Sequence, residues 1–484
     1  MKKALLLCGI LLLSVLPLHA TEARLNALGI ANWMVEEDDN LIWFNPSRIL
    51  DYPRVLWGEL GTAAGSGAAP TVDANVNITN KWGGVSGYCP IIEGAVLGVF
   101  VNRPYRGFVG TAGFTPAGSD ITAPVLDVFG NSLSALTPQT KFEAFYALPR
   151  PVLQWAKVGF RLSYASNFVK NDSTLSLTPS TGSVTANEEL NSSELVLAIG
   201  GQLSRRIRYL SDLDCVLTIG LPSVQNTYRR TFHNGMGWTT ADAQNLELSS
   251  KLNLGFSARA TLPLRGAPLL AYFDYQSHGI ANTSARTRDG DLNGTINNAA
   301  AGDLNFSQDR SQKHTAFTLG ASYNLRTSPK TLTLIAAALQ QTTSINNTTT
   351  TSLLASESGT SEAYNTDTSN FSIPMNFAIE HTLSRIITTR IGVSQNLYQM
   401  TTLNVNDPDY SVSGTRFQQT GLTATTSKSH GIANTTISLG AGITVFKGLA
   451  IDTIVRQQVL FSGTYLVSGI PETLVSQLSV LYQF

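Results

Sequence analysis

The sequence predicts an all-β protein: a transmembrane antiparallel β-barrel of fourteen to sixteen strands, sixteen by the count below, with a short N-terminal helical or irregular plug. Three observations predict it. Apolar and polar residues trade places at every second position over long stretches. The connections between those stretches alternate short and long. Charged residues make up only 14% of the chain, 33 acidic and 33 basic, for a net charge of zero. An ordinary soluble domain carries roughly 25%. Zero net charge gives no broad field for nucleic acid. An apolar content of 43% is too low for a bundle of membrane helices.

Residues 1–20 read as a signal peptide. Lys2 and Lys3 precede an apolar run from Ala4 to Leu18, and His19-Ala20 offers a cut before Thr21. Beyond it no stretch reaches the ~18 to 20 apolar residues of a spanning helix. In lipid only helices and closed barrels satisfy their backbone polar groups, so an exported, low-charge chain without spans points to a barrel. Two cysteines follow the leader, Cys89 and Cys215. They are too few and too far apart to form a framework. The chain divides into the leader, a plug at 21–53 and a barrel at 54–484.

The clearest alternation runs from Leu246 to Leu262. Leu246, Leu248, Leu252, Leu254 and Phe256 share one face, and Glu247, Lys251, Asn253 and Arg259 share the other. Strands are expected near 54–64, 79–88, 94–103, 140–149, 153–166, 190–202, 207–220, 246–263, 267–279, 313–326, 330–343, 371–384, 386–400, 428–445, 448–461 and 472–484. Short connections such as Pro149-Arg150-Pro151 and Thr327-Ser-Pro329 alternate with long ones at 104–139, 221–245, 280–312, 344–370 and 401–427. Outer-membrane barrels combine short periplasmic turns with long external loops. An even count places both termini in the periplasm. The last strand puts Leu474, Leu478, Val480, Tyr482 and the terminal Phe484 on one face. It looks like the signal read by the bacterial barrel-assembly machinery. The expected location is the bacterial outer membrane, with its lipid and lipopolysaccharide as surroundings.

A lipid-facing Arg or Lys costs ~2 to 4 kcal/mol at mid-bilayer, so the charged residues belong inside. The lumen is expected to receive Glu143, Lys157, Arg161, Glu194, Asp212, Asp214, Glu247, Lys251, Arg259, Asp274, Glu380, Arg390, Asp452 and Arg456. The balanced signs predict cross-lumen salt bridges rather than strong ion selectivity. Glycine and small polar residues on the inward face suggest a wet or loosely filled interior.

Residues 21–53 are different in kind. Leu25, Leu28 and Asn32 have helical spacing, predicting a short helix over 22–34. Trp33, Trp43, Phe44 and Tyr52 seek burial, and the Asn45-Pro46 step forces an extended or turn conformation. The acidic run Glu36-Glu37-Asp38-Asp39 is expected to meet Arg161, Arg259 or Arg390. The order Leu28-Gly29-Ile30-Ala31, Asp38-Asp39-Asn40 and Asn45-Pro46-Ser47 resembles the opening of FadL-type hydrophobic-compound transport barrels, with Ser47 in place of the usual Ala. The resemblance covers about 25 residues. It implies an N-terminal segment that plugs the lumen, in a family of fourteen strands.

No catalytic motif is present: no His-Glu-x-x-His, no Gly-x-Ser-x-Gly and no phosphate-binding loop. The chain is therefore read as a non-enzyme with no cofactor and no metal. Asp274 and His278 share a strand face but sit ~13 Å apart, too far for a catalytic pair. Asp289, Asp291 and Asn293 match the first half of a calcium loop, yet the twelfth position is Ala300 rather than Glu. The Thr, Ser and Asn-rich stretch 342–371 reads as a mobile external cap. The expected function is passive passage of small molecules, hydrophobic ones included, through a plugged barrel. The alternatives are an open porin for hydrophilic solutes and a surface barrel that adheres through its loops.

Overall fold

The computed structural model describes residues 22–61, 81–103, 139–148, 156–176, 183–203, 210–233, 238–250, 252–264, 267–288, 304–352, 361–406, 425–432, 435–446, 448–455 and 475–484. The predicted leader lies outside them. The strand segments are β1 (Val55–Gly61), β2 (Lys81–Tyr88), β3 (Val96–Val101), β4 (Gln139–Leu148), β5 (Ala156–Ser176), β6 (Ser183–Leu203), β7 (Asp212–His233), β8 (Trp238–Ser250) and β9 (Asn253–Leu264). They continue with β10 (Ala267–Arg288), β11 (Leu304–Ser328), β12 (Thr331–Ser352), β13 (Ser361–Thr382), β14 (Ile387–Asn406), β15 (Thr425–Gly431), β16 (Thr436–Phe446), β17 (Leu449–Val455) and β18 (Val475–Gln483).

These segments form one antiparallel sheet that closes on itself, with β18 paired to β1 and Val55 opposite Gln483. Two staves are interrupted. β8 and β9 both lie between β7 and β10, and β15 and β16 both pair with β14. Sixteen staves therefore make the cylinder, and each of the sixteen predicted strands falls on one of them. That is two more than the fourteen of FadL-type barrels. Pro374 sits inside β13, where the register shifts between Ile373 and Pro374; a bulge is one of the few places a strand tolerates a residue without an N–H.

The staves are much longer than the alternation suggested. β11 has 25 residues, and β5, β6, β7, β10, β12, β13 and β14 have 20 to 22. Most of the expected loops at 221–245, 280–312 and 344–370 are instead continuous ladder. The Thr-rich stretch forms the paired outer halves of β12 and β13, with Ile345 opposite Asp367 and Thr349 opposite Ala363. Beyond an apolar band both faces of a strand are polar, so the hydropathy period vanishes while backbone pairing continues. Threonine favours strand geometry there.

The outer wall is apolar. Leu197, Ile199, Leu217, Leu254, Phe256, Leu319, Leu339, Phe377 and Ile391 are all exposed on it. The intervening residues point inward, and many are buried and polar, including Glu59, Ser86, Gln202, Asn253, Ser322 and Ser479. No helix among the described residues is long and apolar enough to cross a membrane, which says nothing of a barrel.

Residues 22–53 lie within the cylinder at the end that carries the short connections. Helix α1 (Glu22–Leu28) is shorter than the predicted 22–34. It stops because Gly29 takes a φ of +62° and the amide of Ile30 reaches back to the Leu25 carbonyl at 3.1 Å. Single helical turns follow at Asn32–Met34, Leu41–Phe44 and Pro46–Asp51.

Candidate functional site

The site is the seam between this N-terminal segment and the inner wall. Two ion-pair groups hold it. In the first, Arg24 of α1 donates through Nε and Nη2 to both carboxylate oxygens of Glu380 on β13, at 2.7 and 3.0 Å, and through Nη1 to Asp38 at 3.0 Å. Arg390 on β14 donates to the same Glu380 at 2.7 Å and to Asp452 on β17 at 2.6 Å. All five side chains are buried, so the chain from Asp38 to Asp452 ties segment and wall in one charge-alternating line. Such groups are strongly destabilised when one partner is removed.

The second group centres on Asp214 of β7. Its carboxylate accepts from Arg48 at 2.6 and 3.0 Å, from the Asn45 amide at 2.8 Å and from Arg259 of β9 at 3.5 Å. Asn45 is the pivot. Its backbone is extended ahead of Pro46, and its Oδ1 accepts from the Ser47 amide and hydroxyl at 3.0 and 2.8 Å. Arg259 also donates to the carbonyls of Trp33, Val35 and Glu36.

Aromatic contacts add to the ion pairs. Trp43 is ringed by Trp82, Phe100 and Phe145 at centroid distances of 6.0, 4.6 and 5.0 Å, and the Arg103 guanidinium stands 3.6 Å from its ring centre. Trp33 stacks on Tyr272 of β10 at 4.7 Å and 4° between planes. Wall side chains cap the segment's loose carbonyls: Ser322 and Asn324 donate to Met34 at 2.7 and 2.9 Å, and Asn376 to Gly29 at 2.8 Å.

The inward glycines are sockets, which corrects the wet interior expected at this level. A Cβ on Gly392 would lie 1.8 Å from the Leu28 carbonyl oxygen. One on Gly159 would lie 2.3 Å from the Ser47 nitrogen, and one on Gly200 would lie 2.1 Å from Asn45 Oδ1. A Cβ on Gly320 would lie 2.4 Å from the Trp33 ring, and one on Gly440 2.3 Å from Ala27. Five staves thus give up their side chains so that the segment can touch the wall, through its backbone at Gly159 and Gly392 and through the Asn45, Trp33 and Ala27 side chains at Gly200, Gly320 and Gly440.

The predicted lumen residues fall into clear places. Glu380, Arg390, Asp452, Asp214 and Arg259 form the two ion-pair groups. Lys157 reaches Asp51 of the segment at 2.5 Å. Arg161 donates to the Trp43 carbonyl at 3.0 Å, and Glu143 takes Arg103 at 3.5 Å. Asp212 accepts from Gln202 at 3.3 Å, Asp274 from Ser257 and Gln276, and Glu194 is buried on β6. Lys251, Arg456 and the side chain of Glu247 lie outside the described residues, as do Asp289, Asp291, Asn293 and Ala300.

The acidic run behaves differently from expectation. Glu37 is exposed, Glu36 is half-buried, and Asp38 and Asp39 are buried. None of the four carboxylates meets Arg161, Arg259 or Arg390 in an ion pair. Asp38 takes Arg24 from its own segment, and Asp39 accepts from the Trp57 indole at 2.8 Å. The wall arginines bind backbone carbonyls of the segment and buried acids of the wall instead. Burial pushes both Asp38 and Asp39 carboxyls above the usual range, Asp39 further because Asp38 lies beside it. Sequence reasoning missed Arg24, Arg48 and Arg103. The available signal was the presence of two arginines in an otherwise acidic segment. His278, too far along its strand from Asp274 for a catalytic pair, stacks on His314 across β10 and β11 at 4.6 Å. Cys89 and Cys215 are free thiols.

No protein-family model matches the sequence, and no curated protein matches it. Among solved structures, the ferric yersiniabactin uptake receptor FyuA from Yersinia pestis is similar at 9% identity and a TM-score of 0.40, over 83% of this chain and 60% of the receptor. FpvA of P. aeruginosa, solved with a heterologous ferric pyoverdine, aligns at 9% identity and a TM-score of 0.25, over 84% of this chain and 64% of its own. The copper transporter OprC aligns at 8% and 0.26, over 89% and 80%. The chain thus spans less than two thirds of the length of the first two. Similarity at this level does not place it in a family.

Proposed function

We propose that the chain is an outer-membrane channel, closed at rest by its N-terminal segment, through which small uncharged solutes, hydrophobic ones included, pass without energy input. The observation that carries this reading is the occluding segment itself, seated by buried ion pairs and glycine sockets inside a closed barrel whose outer wall is apolar. The apolar wall faces hydrocarbon, and the end with the short connections faces the periplasm. The wall charges near the segment are spent on one another and on the segment. Further along β10 to β13 the described inward side chains include the uncharged Gln276, His278, Gln340 and Ser372. Passage requires the segment to loosen or shift, since in its seated state its backbone touches several staves.

A tether tests this. A Cβ on Gly29 would lie 3.5 Å from the Ser438 Cβ, within the span of a disulfide. With Cys89 and Cys215 replaced by serine, the pair Gly29→Cys and Ser438→Cys bridges segment and β16. The left-handed backbone at Gly29 adds roughly 1–2 kcal/mol of strain, which the bridge has to overcome. Liposome swelling in small uncharged solutes should stop on oxidation and return on reduction. Uptake that is equal in both states would refute passage past a moving segment.

A further inference from the structure

A cleft of about 370 Å³ opens on the wall beside the break between β8 and β9, lined by Leu252, Ser277, Gly279, Lys313, Ile345 and Asn347 among others. The register sets these in a row across the staves: Gly279 lies opposite Lys313, and Lys313 opposite Ile345. The row faces outward. On β11 the exposed Phe317 and Leu319 share the face of Lys313, on β10 the exposed Tyr275 shares that of Ser277, and on β12 the exposed Leu339 shares that of Ile345.

Toward the turn end this outer face is apolar and aromatic, with Phe273 against Phe256 at 6.0 Å and against Phe317 at 5.5 Å. In the other direction it becomes Ser311, Asn347 and Thr349. The row lies about a dozen residues along β10 from its first residue, Ala267. With ~3.3 Å per residue and a tilt of ~40°, that is roughly 30 Å up the wall, at the far edge of an apolar band ~25 Å tall. Lys313 is exposed there, and none of the described residues that line the cleft carries a carboxylate to oppose its charge.

The geometry points to a seat for a phosphorylated glycolipid of the outer leaflet, and this rests on the membrane reading above. Lys313 takes the phosphate. Ser277 and Asn347 meet sugar hydroxyls, and Leu252 and Ile345 flank the first acyl methylenes. The seat lies outside the barrel and is separate from the segment and its sockets.

The test is native mass spectrometry of the full chain, delipidated in mild detergent and titrated with bisphosphorylated lipid A. Phosphatase-treated lipid A and inorganic phosphate serve as comparisons. The wild type should bind the phosphorylated lipid at least tenfold more tightly than the dephosphorylated one. Lys313→Gln should lose that preference, Lys313→Arg should keep it, and Lys330→Gln at the opposite end should not change it. Equal binding by wild type and Lys313→Gln overturns the seat. Displacement of the lipid by equimolar inorganic phosphate overturns the lipid as its occupant. A chain that does not enter bilayers refutes the membrane reading itself. A chain that enters them and binds both lipids alike refutes only this seat.

Discussion

Arg24→Leu should open the resting channel. Glu380 and Asp38 would keep their buried positions and lose the cation they share. Breaking a buried pair from one side costs roughly 3–5 kcal/mol, and every 1.4 kcal/mol is tenfold in an equilibrium. The ratio of seated to released segment should therefore fall by a hundredfold or more. Arg24 belongs to α1 and not to the sheet, so the barrel should stay folded and keep its compact migration on unheated gels. Conductance in planar bilayers should rise from rare openings to sustained steps. Arg24→Lys should lie between, since a point charge cannot reproduce the two-oxygen grip on Glu380. A double-mutant cycle with Asp38→Asn should give strong coupling, because both changes act on one pair.

Gly392→Val should have a comparable effect by a different route. Its Cβ would stand 1.8 Å from the carbonyl oxygen of Leu28 and 2.2 Å from the carbonyl carbon. Those are backbone atoms at the end of a helix, so no rotamer change relieves the overlap. Either the segment leaves or β14 bends, and β14 is held on both sides by long ladders to β13 and to β15 and β16. The segment is the weaker partner. Protease sites within 22–53 should become cleavable in intact liposomes while the barrel remains protected. Gly87→Val is the control, since a Cβ there meets nothing within 4 Å. Equal protection of both variants would show that the glycine is no socket.

The sequence makes the sixteen staves legible because lipid-like and polar surroundings lie on opposite sides of each strand, and a period of two records that directly. Leu252, Leu254 and Phe256 opposite Asn253 and Arg259 are enough to orient β9. The outer halves of β7, β10, β11 and β12 are not legible this way, since with water on both sides Asn226 or Thr349 carries no directional signal. The inward acids and arginines could be placed on a face, but their pairing could not. Glu380 and Arg390 are cross-strand neighbours on β13 and β14, whereas Arg24 reaches Glu380 across 356 positions of chain. Inward glycines look the same in sequence whether they border water or a packed backbone. Only the position of the segment tells the two apart.

Single-channel conductance of the purified chain, compared with the same chain lacking residues 22–53, tests the central claim most directly. The intact protein should sit closed at rest, with brief and infrequent openings. The truncated barrel should give large steady steps at the same voltage. Indistinguishable records, with both proteins folded and inserted, would contradict a barrel closed by its own N-terminal segment.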